Sequence, residues 1–110
     1  RIEETHHIHK LDAPSGTAIT LAKQIIQNSN FLGWDLNQSP VENNIGITSF
    51  RQGEVTGHHL VTYHGSNDLI RIEHEAFNRI GFAQGALLAA RYISGKKGVF
   101  SIEDVLGLPR

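Results

Sequence analysis

VTGHHLVTYHGSNDLIRIEHEA, residues 55–76, is the stretch that decides the fold class. It contains two runs with many β-branched or aromatic residues, 55–64 and 69–76, which are typical of strands. The four residues between them, Gly-Ser-Asn-Asp, favour tight turns. The segment therefore predicts a β-hairpin, so the chain contains a sheet.

Two further strands are predicted on the amino-terminal side of this hairpin. Residues 45–51 (IGITSFR) form one of them, and residues 1–10 (RIEETHHIHK) alternate and form the other. Neither face of the 1–10 strand is cleanly apolar, which is typical of a strand that lines a site or an interface. Residues 29–44 carry Asn, Gln, Ser, Pro and Gly with scattered apolar residues, and we predict a long surface loop for them.

Apolar residues recur at helical spacing in two segments. The first runs from Ser15 or Gly16 to Asn28, with one apolar stripe formed by Ala18, Leu21, Ala22 and Ile25. The second, residues 78–94, ends before Gly95 and is predicted to turn five side chains inward, namely Ile80, Ala83, Leu87, Ala90 and Ile93. A capping-box pattern at residues 101–104 predicts one more short helix through Leu106.

The order β-α-β-β-β-α predicts an α+β fold that covers residues 1–110 as one domain. We expect a four-stranded mixed sheet covered by helices on one face. The other face still carries residues too apolar to prefer water, either Val61 and Tyr63 or Leu60, so we expect it to be used for oligomerisation.

The composition narrows the classes of function. Of the 110 residues, 39% are hydrophobic and 19% are charged, which excludes a disordered charged tail. No apolar run approaches the roughly 20 residues that span a bilayer. The net charge of −1 disfavours a nucleic-acid binder, and the absence of Cys excludes disulfide scaffolds, Cys-ligated zinc and thiol catalysis.

The chain has no Met, and it starts at Arg1 within a predicted strand. We therefore expect it to be part of a longer protein. No signal-peptide pattern is present, which favours the cytoplasm.

The segment 4–17, ETHHIHKLDAPSGT, concentrates the groups that could do chemistry. Three His and a Lys precede a Pro-Ser-Gly-Thr turn that begins a helix. The first turn of a helix has free N–H groups and a partial positive charge, which suit a phosphate or a carboxylate. Gly16 would let a ligand approach the backbone, Thr17 adds a hydroxyl and Lys10 adds a cation. This pattern predicts a site that holds a small dianionic substrate beside a His acting as general acid or base.

Other interpretations of these residues stay open. The Ser-Gly-Thr turn can serve only as a helix cap. His7 and His9 have a known metal-ligand spacing, although no third ligand of obvious register accompanies them. His58 and His59 lie on opposite sides of a strand, so both cannot serve one site.

Residues 6–18, HHIHKLDAPSGTA, resemble the signature of the dihydrodipicolinate reductase family, also called 4-hydroxy-tetrahydrodipicolinate reductases. Residues 50–59, FRQGEVTGHH, resemble the family's R-x-G-x-x-x-G-x-H stretch, and residues 73–76 and 79–86 resemble its final strand and following helix. Family members begin with a Rossmann domain, but the chain contains no G-x-G-x-x-G motif. The chain is therefore similar to the C-terminal substrate-binding and tetramerisation domain, without the nucleotide-binding domain.

The resemblance implies a role for five residues. His6 would be the catalytic proton donor or acceptor and Lys10 the second catalytic residue. His7, Gly16 and Thr17 would bind the carboxylates of the substrate. Strict alternation places His7 on the opposite strand face from His6 and Lys10, so the three meet at one substrate only if the strand ends or bulges near His7. No residue of the chain is assigned to a cofactor or a metal.

The resemblance also implies a function. The reaction would be the NADH- or NADPH-dependent conversion of 4-hydroxy-tetrahydrodipicolinate to tetrahydrodipicolinate, in lysine and diaminopimelate biosynthesis. Because the absent domain would bind most of the cofactor, the chain alone is expected to be inactive. A homotetramer is the expected assembly, without nucleic acid or membrane. The alternatives are a non-catalytic oligomerisation module and a His-rich metal-binding domain.

Overall fold

The structure, a computed structural model, describes residues 1–109, and Arg110 at the end of the predicted domain lies outside the described residues. It divides into two compact units, residues 1–77 and a second unit that begins at Asn78. The elements in chain order are β1 Ile2–His6, α1 Gly16–Gln27, β2 Gly33–Leu36, β3 Asn44–Arg51, β4 Gly57–His64, β5 Leu69–Ala76, α2 Ile80–Ile93 and α3 Ile102–Leu106.

The first unit contains one mixed sheet with the strand order β2-β3-β1-β4-β5. β1 and β2 each pair in parallel with β3, whereas β4 pairs antiparallel with both β1 and β5. The predicted α+β class, the mixed sheet and the hairpin are therefore confirmed. The sheet has five strands rather than the four predicted from the sequence.

The additional strand is β2, which lies inside the predicted loop 29–44. It has only four residues, all of them half-buried, so it shows no periodicity to detect. The connection to its parallel neighbour β3 is only residues 37–43, and it is bounded by Asn37 and Asn43 in the left-handed region at φ 55° and 68°. Asparagine tolerates this conformation better than most residues, which makes such a short connection possible.

β1 is shorter than predicted, because the expected strand 1–10 ends at His6. There the backbone N–H of Gln52 donates to the carbonyl of His6 at 2.9 Å, and the N–H of Lys10 donates to the carbonyl of His7 at 3.2 Å. The second bond closes a turn, so residues 7–10 no longer alternate. The predicted conflict between the directions of His6, His7 and Lys10 therefore does not arise.

The core lies between α1 and one face of the sheet. Ala18 and Ala22 are separated by one helical turn and are both fully buried, because their small side chains let the helix lie close to the strands. Leu21 and Ile25, the other residues of the predicted stripe, pack against this core. The buried apolar members are Ile2, Ala18, Ala22, Ile45, Ile47 and Val61.

The opposite face of the sheet is not covered within the first unit, and we call it the open face. Strand pairing places on it Glu3, Thr5, Thr48, Phe50, His58, Leu60, Arg71 and Glu73. Along β4, Val61 is buried opposite Ile2, and Leu60 pairs with Glu3 on the open face, where Thr62 is also buried. On this face His58 Nε2 lies 2.6 Å from a carboxylate oxygen of Glu73.

The second unit consists of α2 and α3. Gly95 follows α2 with φ 76°, as expected at a helix end, and Ser101 and Asp104 form the predicted capping box of α3. No residue of α2 is buried, and Ile80 and Leu87 are 61% and 58% exposed. The prediction that this side of α2 points inward is thus wrong for the unit as described, because the five-residue α3 is too short to cover it.

Ile47→Ala should lower the free energy of unfolding by about 2–5 kcal/mol, because it leaves a cavity under α1 at a residue that is 1% exposed. Urea denaturation of the chain measures this loss. Leu32→Ala is the matched control, since Leu32 is 78% exposed and its truncation should change stability by no more than about 0.5 kcal/mol. A loss under about 1 kcal/mol for Ile47→Ala would contradict the described core.

Candidate active site

The carboxylate of Glu4 lies at the centre of the site. It is completely buried and projects from β1 on the face that α1 covers. Oε1 accepts from Arg51 Nη2 at 2.9 Å and from the backbone N–H of Ser15 at 3.2 Å. Oε2 accepts from Arg51 Nη1 at 3.0 Å and lies 2.5 Å from Nδ1 of His6. A buried charge needs such partners, and this one has four.

Arg51 reaches Glu4 because β3 pairs with β1 in parallel and places Arg51 beside His6. Its two terminal nitrogens form a fork on the carboxylate, and Nη2 also donates to the carbonyl of Asp12 at 2.7 Å. Arg51 thus ties the ends of two strands to the loop that precedes α1.

Two opposing effects act on the ionisation of Glu4. Burial alone would raise the pKa of this carboxyl, but hydrogen bonding by Arg51 and by Ser49, with smaller contributions from His6 and from the charge of Arg51, outweighs it. The pKa of Glu4 consequently lies below its ordinary value, and the group is a carboxylate at neutral pH.

The imidazole of His6 is held on three sides. Nδ1 bonds to Glu4, and the ring meets that of His59 edge-on with 5.2 Å between centroids. The edge with Nε2 faces Gly57, where an added Cβ would come within 3.3 Å of Nε2. No hydrogen bond to Nε2 is found within residues 1–109, so this nitrogen is the one available for a reacting group.

Ser15 connects this cluster to the start of α1. It is the N-cap residue, and its Oγ accepts from the backbone N–H of Ala18 at 3.1 Å. The same Oγ lies 2.8 Å from Nε2 of His59. Burial, reinforced by the neighbouring His6, lowers the pKa of His59, so His59 is neutral at pH 7.

The anion-binding groups predicted from the sequence lie at the exposed edge of this cluster. Gly16 and Thr17 are exposed, and across the described chain no partner is found for either backbone N–H. A Cβ added at Gly16 would meet nothing within 4 Å, so the backbone there is open to approach. Lys10 Nζ bonds both oxygens of Asp12 at 2.9 and 3.0 Å, and this contact with Lys10 lowers the pKa of Asp12.

The structure connects four of the five predicted site residues. His6 joins Gly16 and Thr17 through Glu4 and the cap of α1, while Lys10 joins the same network through Asp12 and Arg51. The fifth, His7, lies in the turn after β1, and its Nδ1 is buried without a hydrogen-bond partner. The roles of these residues stay predictions.

The structure gives little support to a metal site at His7 and His9. The rings of His7 and His9 lie 5.9 Å apart, and His9 bonds the exposed Glu54 at 3.3 Å instead. Within the part of the chain described, the ligand atoms that come within 4.8 Å of one another belong to Glu4, His6 and His59. A metal there would have to displace the fork of Arg51 from the carboxylate.

Sequence reasoning missed three members of this cluster. Glu4 lies on the same strand face as the apolar Ile2. A carboxylate on a buried face needs a partner, and this was the signal that the sequence contained. Arg51 and His59 both lie in the stretch that resembles the family, but they come from different strands. Only strand order shows that they meet beside β1.

Comparison with known proteins identifies the family of the chain. Residues 1–106 match the family model described as dihydrodipicolinate reductase, C-terminus. The chain belongs to this family. A 4-hydroxy-tetrahydrodipicolinate reductase of Christiangramia forsetii is 53% identical over 106 residues, and one of Alkalilimnicola ehrlichii is 40% identical over 119 residues.

These reductases are longer than the chain. The two alignments cover 96% and 97% of the chain but only 44% and 43% of the relatives. A solved dihydrodipicolinate reductase from Paenisporosarcina sp. TG-14, described as dipicolinate-bound, superposes with a TM-score of 0.67 at 29% identity. That superposition covers 94% of the chain and 43% of the neighbour.

Among the described residues, no helix has the length and apolar character needed to cross a membrane.

Arg51→Met should destabilise the first unit by about 3–5 kcal/mol at pH 7, because it leaves the carboxylate of Glu4 buried without its cation. Since the folded pKa of Glu4 is lowered, the ion pair stabilises the fold above about pH 4.5 and this contribution is lost as the pH falls through the folded value. Urea denaturation at pH 7 and pH 4 should therefore show a smaller loss at pH 4. An equal loss at both would contradict the ion pair.

His59→Gln should flatten the dependence of stability on pH. Because the folded pKa of His59 is lowered from 6.5, its neutral form contributes fully above about pH 6.5, and the contribution is lost as the pH falls toward the folded value. Denaturation from pH 7.5 to pH 5 measures this slope. His64→Gln, at the exposed end of β4, removes another imidazole as a control. An equal flattening in both variants would argue against the buried environment of His59.

Proposed function

We propose that the chain is the substrate-binding and catalytic part of an NADH- or NADPH-dependent 4-hydroxy-tetrahydrodipicolinate reductase. The observation that carries the proposal is one hydrogen-bonded network, which joins His6, the loop of Lys10 and the open start of α1. Its residues fall within the stretch that matches the family. Family membership and geometry therefore support the same site.

The substrate is a cyclic dicarboxylate, and the site offers two kinds of anion-binding group. The N–H groups of Gly16 and Thr17 lie in the first turn of α1, where the helix dipole favours negative charge. Lys10 supplies a full positive charge on a side chain that is 22% exposed. Asp12 now holds this cation, and a substrate carboxylate would compete with Asp12 for it. His7 lies in the turn after β1 and completes the proposed set of groups that bind the carboxylates.

His6 is the group suited to move a proton. Nδ1 is engaged by Glu4, which leaves Nε2 to exchange a proton with the substrate or with an ordered water. A neutral imidazole at this position accepts a proton, and an imidazolium donates one. Lys10 and the helix start would hold the two carboxylates while this exchange takes place.

The described residues do not fit a nicotinamide nucleotide. The turn between β1 and α1 lacks the G-x-G-x-x-G pattern, and a buried carboxylate and two imidazoles lie beneath it. We therefore assign the cofactor mainly to another domain of a longer protein, and the chain alone should have no reductase activity. Such a protein would act in the cytoplasm, in lysine and diaminopimelate biosynthesis.

The open face is our candidate for assembly into a homotetramer. It combines apolar groups such as Phe50, which is 39% exposed, and Leu60 with charged residues of β5. β5, the edge strand of the sheet, is almost wholly exposed although it carries apolar residues. Exposed apolar edge strands are uncommon in proteins that do not associate. A second sheet packed on the open face would bury Phe50 and Leu60, whereas the exposed Ile70 and Ile72 of β5 lie on the opposite face, beside Tyr63 and Val61.

Lys10→Ala tests the proposed function in a full-length protein that joins this chain to its nucleotide-binding domain. We expect kcat for 4-hydroxy-tetrahydrodipicolinate to fall by about 10²–10⁴-fold with either NADH or NADPH, because the substrate loses a charged partner at the reacting centre. The Lys10–Asp12 pair lies near the surface, so the fold should lose no more than about 1 kcal/mol.

Lys23→Ala is the matched control for that variant, since Lys23 is exposed on α1 and makes no contact with the network. Its kcat should stay within about threefold of the parent. A fall of less than threefold for Lys10→Ala would remove Lys10 from the proposed mechanism. Absence of turnover by the parent full-length protein would refute the proposed function itself.

A further inference from the structure

We propose that Glu4 is the positioning residue for His6, and that Arg51 locks Glu4 between His6 and the anion-binding start of α1. The inference rests on the proposed function, in which His6 exchanges the proton. It goes further by assigning functional roles to two residues outside the predicted site.

Glu4 first determines how the imidazole of His6 is presented. A carboxylate can only accept hydrogen bonds, so the atom of His6 that faces it, Nδ1, carries the hydrogen. Nε2 is then the nitrogen left for the substrate. The contact with Glu4 and the ring of His59 restrict rotation of the imidazole, while Gly57 leaves room for the Nε2 edge. One tautomer and one orientation result.

Glu4 also connects the imidazole to the substrate-binding groups. Its Oε1 accepts from the N–H of Ser15, and the next two N–H groups of the chain are those of Gly16 and Thr17. A single carboxylate therefore spans the proton-transfer group and the proposed anion site. A displacement of about 1 Å between such groups can cost about 10²-fold in rate.

Arg51 fixes this carboxylate in place. Its fork engages both oxygens of Glu4, and its Nη2 also donates to the carbonyl of Asp12, the residue that pairs with Lys10. Arg51 thus holds Glu4 against His6 and also contacts the loop that carries Lys10. The lowered pKa of Glu4 agrees with a permanently ionised acceptor.

Glu4→Gln in the full-length protein is the direct test. The four groups around Glu4 all donate hydrogen bonds. The amide of Gln has only one acceptor oxygen for them, and its NH2 group would face the remaining donors. We expect kcat to fall by about 10²-fold while KM for the dicarboxylate stays within about threefold, because the proton-transfer group is misplaced and the helix start remains.

A double variant separates positioning from structural damage. If Glu4 acts through His6, Glu4→Gln should lower kcat by less than about threefold in a His6→Asn background. An equally large fall in both backgrounds would overturn the inference. So would a Glu4→Gln variant whose kcat stays within threefold of the parent, or one that changes only KM.

The single variants His6→Asn and Asp35→Asn are the controls for this test. If His6→Asn itself stays within threefold of the parent, the proposed role of His6 fails, and the inference fails with it. Asp35→Asn controls for the loss of a structural carboxylate, because Asp35 accepts from Val41 N and Asn44 Nδ2 away from the site, and it should leave kcat unchanged.

If Glu4→Gln does not fold, Glu4→Asp decides the question. It keeps the charge opposite Arg51 but withdraws the carboxylate from His6 by one methylene. A fall in kcat of at least fivefold supports the inference, and a kcat within twofold of the parent overturns it.

Discussion

The ion pair between Glu4 and Arg51 is the interaction on which the carboxyl ends of β1 and β3 depend. A carboxylate with no exposed surface is strongly unfavourable unless its oxygens are hydrogen-bonded and its charge is balanced. Arg51 balances the charge of Glu4. The imidazole of His6 and the backbone N–H of Ser15 supply the remaining hydrogen-bond partners of the carboxylate. Because each partner comes from a different segment, satisfying one buried charge holds β1, β3 and the start of α1 together.

The strand order explains why this is possible in so small a unit. β1 is the central strand, with β3 on one side and β4 on the other. Along its covered face the residues change from Ile2, in the core, to Glu4 and then His6, at the end of the strand. β3 supplies Arg51 at that end and β4 supplies His59. Apolar packing therefore secures one end of β1, and the polar cluster occupies the other, where α1 begins.

The two units differ in how well they bury their apolar residues. The first has a core under α1, although much of its edge strand β5 is exposed, whereas no residue of α2 in the second unit is buried. The chain spans less than half of the reductases that it resembles. Apolar surface on α2 and on the open face is consistent with the proposal that a longer protein and its copies cover them.

The local features of the protein could be predicted from its amino-acid sequence. Tight-turn residues between β-branched runs placed the hairpin, apolar spacing placed α1, and a cap with a free first turn predicted an anion site at Gly16 and Thr17 beside Lys10. The resemblance to the family, carried by residues 6–18, added the roles of His6 and His7 and a catalytic role for Lys10. These features depend on neighbours in the chain, so a linear pattern contains them.

The features that depend on which strands lie side by side could not be predicted from the sequence and are seen in the folded unit alone. β2 has too few residues to show a period, and it is a strand because its backbone pairs with the edge of β3. The end of β1 at His6 follows from its bonds to the chain after β3. The pairing of Glu4 with Arg51 joins residues 47 positions apart, and no local pattern specifies which buried charge meets which cation. That choice follows from strand order, which is set by packing of the whole unit.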